Sequence, residues 1–136
     1  MSRKLQFQII GILGGTAVAL GAFGSHGFKE ILVQNGYTEV FQTANRYHFY
    51  HIFALALISV LPQNKITRVA FWCFLVGILI FSGSLYVLAL TQIKVLGAIT
   101  PVGGIAFIIG WLLVGLSIKD APNYALASLS KDKLQS

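Results

Sequence analysis

In this chain of 136 residues, 56% of the residues are hydrophobic and 10% are charged, which leaves too little polar surface for a soluble domain. The net charge of +6 does not indicate nucleic-acid binding, because the bases lie at the ends of apolar segments, where membrane proteins carry them. The single cysteine, Cys73, excludes an intramolecular disulfide and leaves the redox compartment undetermined.

Four apolar segments, each near the length of about 20 residues that crosses a bilayer, occupy most of the chain. They predict an all-α polytopic membrane protein with a four-helix transmembrane bundle in residues 1–118. The predicted spans are residues 7–24, 43–61, 69–90 and 96–118. Residues 119–136 are polar and are expected to form a cytoplasmic tail.

The first segment follows two bases and ends in small residues, so a cleaved signal peptide is an alternative to a retained helix. The length of the segment favours a retained membrane-spanning helix. Gly11 and Gly15 form a GxxxG pair, and Ala17 and Gly21 repeat the small-residue spacing. We expect these residues to admit a neighbouring helix closely, although glycine is also common in membrane helices for other reasons.

The loop after the first span contains an apolar periodicity over residues 28–32, followed by Asn35-Gly36. This pattern predicts a short amphipathic helix lying at the membrane surface. Thr38 and Glu39 then have the pattern of an N-cap and a first-turn acid, which predicts that the second long helix begins there.

The second span carries polar side chains in its first half. At about 100° per residue, those of Asn45, Tyr47, His48 and His51 sweep about 160° of one side of a helix, so they must face the bundle interior or the headgroups. We expect His51 to form hydrogen bonds with the serines at residues 82–84. The candidate polar cluster consists of Asn45, Arg46, Tyr47, His48, Tyr50, His51, Ser82 and Ser84.

The loop over residues 62–68 is short and predicts that the helices on either side of it are antiparallel neighbours. In the last span, Pro101 should kink the helix or unwind a turn, with Gly103 and Gly104 packing at the kink. The residues expected at close helix contacts are Gly11, Gly15, Gly21, Gly77, Gly83, Pro101, Gly103, Gly104 and Gly110.

The distribution of bases predicts the orientation. With four crossings, the termini and the middle loop share one side, which holds seven of the ten bases. The other side holds three, counting Arg46 at a helix end. We therefore expect both termini to lie in the cytoplasm, with the chain in a bacterial inner membrane.

Four sequence blocks resemble a known family: residues 21–27, 47–51, 81–91 and 96–104. They are similar to the domain-of-unknown-function 423 family, small bacterial inner-membrane proteins related to transmembrane protein 256. The resemblance covers residues 7–118 and implies a four-helix membrane protein without an established activity, substrate or cofactor. In one departure, Gln92 stands where a glycine is expected after the Leu-Thr pair, which leaves the local turn open.

The histidines do not form a pattern that predicts a cofactor or a metal. Bis-histidine haem needs ligands from facing helices, whereas His48 and His51 share one helix and His26 lies in a loop. Neither a carboxylate nor a thiolate accompanies these histidines as a further metal ligand. Without a nucleophile, base and orienting acid in one pattern, the sequence predicts a protein that is not an enzyme.

Transport is the alternative function that the sequence leaves open. Proton-coupled export of cations needs a buried carboxylate, and the acidic residues Glu30, Glu39, Asp120 and Asp132 all lie outside the predicted spans. A small oligomeric transporter or channel for ions or small molecules remains an alternative. The leading interpretation is a non-catalytic packing, assembly or accessory component, whose partners are the lipid bilayer and either a second copy or another membrane protein.

Overall fold

The computed structural model describes residues 1–117, and these residues form an all-α fold, as predicted. A π-helical turn, Ile78–Ser82, joins the helices Lys65–Gly77 and Gly83–Thr91 into one rod of 27 residues. The helices are α1 (Arg3–Ser25), α2 (Lys29–Asn35), α3 (Thr38–Val60), α4 (Lys65–Gly77), α5 (Gly83–Thr91) and α6 (Val95–Ser117). The tail predicted at 119–136 lies outside the described residues.

Hydrogen bonds between distant parts of the chain define two ends of the fold. At the first end, Gln6 of α1 donates to the side chain of Gln63, just after α3, at 3.1 Å. At the second end, Asn35 of α2 donates to the carbonyl of Ala89 in α5 at 3.0 Å. The helices α1 and α3 and the α4–α5 rod therefore each run from one end to the other, and α2 lies at the second end.

The helix α6 packs against the α4–α5 rod through reciprocal contacts between phenylalanines and glycines. The pairs are Gly77 with Phe107, Gly103 with Phe81 and Gly110 with Phe74. Residue numbers rise along one helix and fall by the same step along the other, as antiparallel helices require. A Cβ atom added to any of these glycines would collide with the phenylalanine that faces it. A Cβ built on Gly110, for example, would lie 2.7 Å from the Phe74 ring.

The glycines of α1 do not take part in such contacts. A Cβ built on Gly11 or Gly15 meets no atom of residues 1–117 within 4 Å, and the same holds at Gly83. The expectation of close packing at these three glycines is therefore not met among residues 1–117. The reason is that α1 turns a different face to α3, on which Ala17 is fully buried and Gly21 lies against Asn45.

Of the two outcomes expected at Pro101, a kink or an unwound turn, the structure excludes the unwound turn. Throughout the described range Val95–Ser117, the helix continues past Pro101, whose ring is exposed. The irregular turn lies instead in the facing rod at Ile78–Ser82, where Gly103 meets the backbone of Phe81. A Cβ built on Gly104 would make only an ordinary contact with the Phe81 ring, at 3.8 Å.

The short helix α2 ends where the sequence predicts. Gly36 closes it with a left-handed backbone, φ 71°, a conformation in which glycine carries no steric penalty. Thr38 is not the N-cap of α3, since Tyr37 holds that position without a capping side-chain bond and Thr38 is already helical. Glu39 does lie in the first turn.

Three helical segments are long and apolar enough to cross a membrane: Arg3–Ser25, Lys65–Thr91 and Val95–Ser117. The chain is therefore a membrane protein with multiple candidate spans. At 23 residues, α3 is as long as α1 and α6, but polar side chains occupy its first half and lower its hydropathy.

Candidate functional site

A chain of polar contacts connects three helices. Asn45 of α3 donates one hydrogen bond to the carbonyl of Ala17 in α1 at 2.9 Å and another to the Tyr86 hydroxyl in α5 at 3.0 Å. The same hydroxyl lies 3.4 Å from Nδ1 of His48. Because Tyr86 is buried and His48 is 4% exposed, the Tyr86 hydroxyl and Nδ1 of His48 are polar partners inside the protein.

His51 lies in a separate aromatic site. Its Nδ1 donates to the carbonyl of Tyr47 at 2.8 Å, and its Nε2 accepts from the indole N–H of Trp111 at 3.4 Å. A carbonyl can only accept and an indole N–H can only donate, so these contacts fit the neutral tautomer with the proton on Nδ1. The imidazole stacks on Phe107 with ring centroids 3.4 Å apart.

The expected hydrogen bond between His51 and the serines of the third span is therefore not formed. Ser84 pairs with Thr100 of α6 at 2.8 Å, so it ties the rod to α6 rather than to α3. The hydroxyl of Ser82 and Nε2 of His48 are buried without a hydrogen-bond partner among residues 1–117. Ser82 closes the π-helical turn, a local irregularity that often occurs at functional sites.

The remaining residues of the predicted cluster lie at the surface. Arg46 is exposed and contacts Glu39 at 3.6 Å and the Thr43 hydroxyl at 3.2 Å. Tyr47 and Tyr50 line an aromatic groove of about 690 Å³ that also contains His51 and Trp111. The predicted cluster thus divides into the Asn45–His48 network, the His51 site, the serines of the rod and an exposed surface.

The chemistry of the buried groups favours helix association. The bonds of Asn45 and Ser84 each join two helices, and His51 joins α3 to α6. Within residues 1–117, no group of three or more histidine, cysteine, aspartate or glutamate side chains is placed to hold a metal ion.

Four residues of the site were missed by the sequence reasoning: Tyr86, Thr100, Phe107 and Trp111. Tyr86 had a usable signal, because a tyrosine in the middle of an apolar span needs a partner for its hydroxyl. Trp111 and Thr100 had weaker signals, since their role depends on the rotation of α6, which hydropathy does not determine.

Comparison with known proteins identifies related membrane proteins. The model of DUF423, a protein family of unknown function, matches residues 20–104. A UPF0382 membrane protein of Staphylococcus aureus is 47% identical over 111 residues, which cover 79% of this chain and 90% of the relative. The UPF0382 membrane protein YwdK of Bacillus subtilis is 44% identical over 114 residues, with 79% and 91% covered. No solved structure matches the chain.

Proposed function

The chain belongs to the DUF423 family, as its sequence blocks predicted, and we propose that it is a non-catalytic assembly or accessory component of the bacterial inner membrane. The observation that supports this role is the use of the buried polar groups. Asn45, Ser84 and His51 are each engaged in a bond to a neighbouring helix, which is the common use of polar side chains between membrane helices.

The proposal includes four crossings, with α3 as the second span. A helix of 23 residues is about 34 Å long, enough for a hydrocarbon core of about 30 Å. Its polar residues His48 and His51 face the interior, whereas Phe53 and Val60 are exposed and apolar. This distribution of polar and apolar residues suits a helix with one face toward lipid. The two ends of α3 also coincide with the two ends of the fold.

The orientation follows from the bases, which predict a cytoplasmic first end. Reporter domains inserted after Gln63 and fused after Ser136 should read cytoplasmic, and one inserted after Gln34 should read periplasmic. A periplasmic signal at Gln63 together with a cytoplasmic one at Gln34 would contradict the orientation. Identical signals at both sites would contradict the crossing of α3.

The expected protein partner is another membrane helix, from a second copy or from a different protein, packed on α1. Only 6% of the apolar window of α1 is buried within the described fold, against 44% for the α4–α5 rod. Exposed Ile12 and Val18 are suitable positions for a photo-crosslinking amino acid in cells. The assembly role predicts adducts of discrete mass at these positions, and Leu112, exposed on α6, is the matched control.

Crosslinks to lipid alone, with α1 and α6 equivalent, would contradict the assembly role.

Transport is the second candidate, favoured by the unpartnered polar atoms of Ser82 and His48 inside the bundle. Reconstitution into liposomes separates the two candidates. The assembly role predicts ion flux no greater than in empty liposomes, whereas flux that is lost in Ser82→Ala would favour a channel.

A further inference from the structure

A cavity of about 460 Å³ lies at the second end of the fold, between the end of α1, the short helix α2 and the first turns of α3. Its walls combine charged, hydroxyl-bearing and apolar side chains. The residues that matter for its chemistry are Ser25, Lys29, Leu32, Thr38, Phe41 and Arg46. Of these residues, only Arg46 belonged to a candidate site in the sequence analysis, the polar cluster of α3.

The rim of the cavity is positively charged. Lys29 of α2 and Arg46 of α3 both line it and are both exposed. The nearby carboxylate of Glu39 lies 3.6 Å from the guanidinium and is 82% exposed. Such an exposed ion pair contributes about 0–1 kcal/mol, so Arg46 can exchange Glu39 for another anion at little cost.

The floor of the same cavity is apolar. Leu32 and Phe41 are 1% and 2% exposed, and the Phe41 ring comes so close to α1 that a side chain on Gly24 would collide with it. Above this floor, the apolar side chain of Val33 also lines the cavity and is 63% exposed. A free phosphate ion would use only the rim and would leave Val33 facing water. A ligand that joins a phosphate to hydrocarbon satisfies both parts of the cavity.

We propose that this cavity binds an anionic phospholipid, with the headgroup phosphate between Lys29 and Arg46 and the glycerol and upper acyl chains against Val33, above the closed floor of Leu32 and Phe41. Arginine binds phosphate through its planar fork of donors and lysine as a point charge. The site goes beyond the assembly role and does not depend on it, because it requires only that the second end lies at a membrane surface.

The test uses the purified full-length chain in an uncharged detergent and measures its melting temperature against added phosphatidylglycerol, phosphatidylcholine or inorganic phosphate. Native mass spectrometry counts the lipids retained. We expect phosphatidylglycerol to stabilise the chain most strongly, phosphatidylcholine to bind more weakly because its headgroup is neutral overall, and inorganic phosphate to have little effect at the same concentration.

The decisive variant is Lys29→Gln/Arg46→Gln, and its matched control is Lys65→Gln/Arg68→Gln, which removes one exposed lysine and one exposed arginine at the opposite end. The first should raise the apparent Kd for phosphatidylglycerol about tenfold, and the control less than about twofold. If the double variant does not fold, Lys29→Gln alone, on an exposed side chain of α2, should still give a rise of about threefold.

Three results would overturn the proposal. An equal loss of affinity in the two double variants would mean that lipid responds to net charge alone. Stabilisation by inorganic phosphate equal to that by phosphatidylglycerol would assign the rim to a free anion. Loss of all bound lipid during purification, without recovery on adding phosphatidylglycerol, would exclude the site.

Discussion

The helices α1 and α6 have the same length of 23 residues and similar mean hydropathy, 1.7 and 2.1, yet they are packed very differently. About 28% of the apolar window of α6 is buried, compared with 6% for α1. Both contain glycines at helix-packing spacing. The comparison shows that glycine spacing identifies a surface able to pack closely, but not whether the same chain supplies the partner.

The difference lies in the facing helices. The α4–α5 rod presents Phe74 and Phe81 to the glycines of α6, and α6 returns Phe107 to Gly77. Each glycine thus has a large ring opposite it, which fills the space that a missing side chain leaves. At Gly11, by contrast, the described chain offers no such ring.

The largest effect is expected from adding a methyl group at Gly103. In Gly103→Ala the new Cβ would collide with the backbone of Phe81, and a backbone cannot rotate away as a side chain can. Overpacking of this kind costs about 1–3 kcal/mol. Unfolding by a denaturing detergent, followed by circular dichroism, measures the loss of stability.

The matched control is Gly15→Ala, since a Cβ there meets no atom of residues 1–117 within 4 Å. We expect its unfolding free energy to equal or slightly exceed that of the unmodified chain, because alanine favours a helix. If Gly15→Ala in monomeric, detergent-solubilised protein were as damaging as Gly103→Ala, the contrast between α1 and α6 would be wrong.

Some of this packing was within reach of the sequence. Phe81 and Ser84 lie three residues apart, and so do the residues they contact on α6, Gly103 and Thr100. An antiparallel pairing of the two helices could therefore have been predicted by aligning large residues on one helix with small residues on the other. The position of α2 was predictable because Asn35-Gly36 marks its end. The division of the polar cluster into separate sites was not predictable, because the rotation of each helix about its axis depends on contacts that hydropathy does not encode.

A smaller effect is expected from the two hydrogen bonds by which Asn45 attaches α3 to α1 and to α5. Asn45→Ala removes the donors to Ala17 and Tyr86, and polar contacts between membrane helices contribute about 0.6 kcal/mol each, at most about 1.7. We therefore expect a loss of about 1 kcal/mol. A double-mutant cycle with Tyr86→Phe isolates the shared bond, and Gln42→Ala, at an exposed position, is the control. A coupling energy of zero would show that the bond contributes nothing.

At the aromatic site around His51, losing the hydrogen bond to Trp111 should cost about 0.5–1 kcal/mol of unfolding free energy. In His51→Gln a side-chain oxygen can still accept from the Trp111 indole, whereas His51→Leu leaves that donor without its partner. The leucine variant should therefore be less stable than the glutamine variant. In a Trp111→Phe background, which has no indole donor, the difference between the two variants should vanish. Persistence of the difference would assign the effect to shape rather than to the hydrogen bond.

The smallest effect is expected from Gln92→Gly. Gln92 ends α5 in the left-handed conformation, φ 59°. A non-glycine residue there costs about 1 kcal/mol, and the donation from the Gln92 side chain to Asn35 offsets part of that cost. Gln92→Gly removes both the strain and the bond, so its stability should remain within about 0.5 kcal/mol of the unmodified chain. Gln92→Ala keeps the strain and loses the bond, so it should be the less stable variant by about 1 kcal/mol. Equal stability of the two variants in detergent unfolding would mean that the backbone at this turn rearranges, and that the left-handed position is not what closes α5.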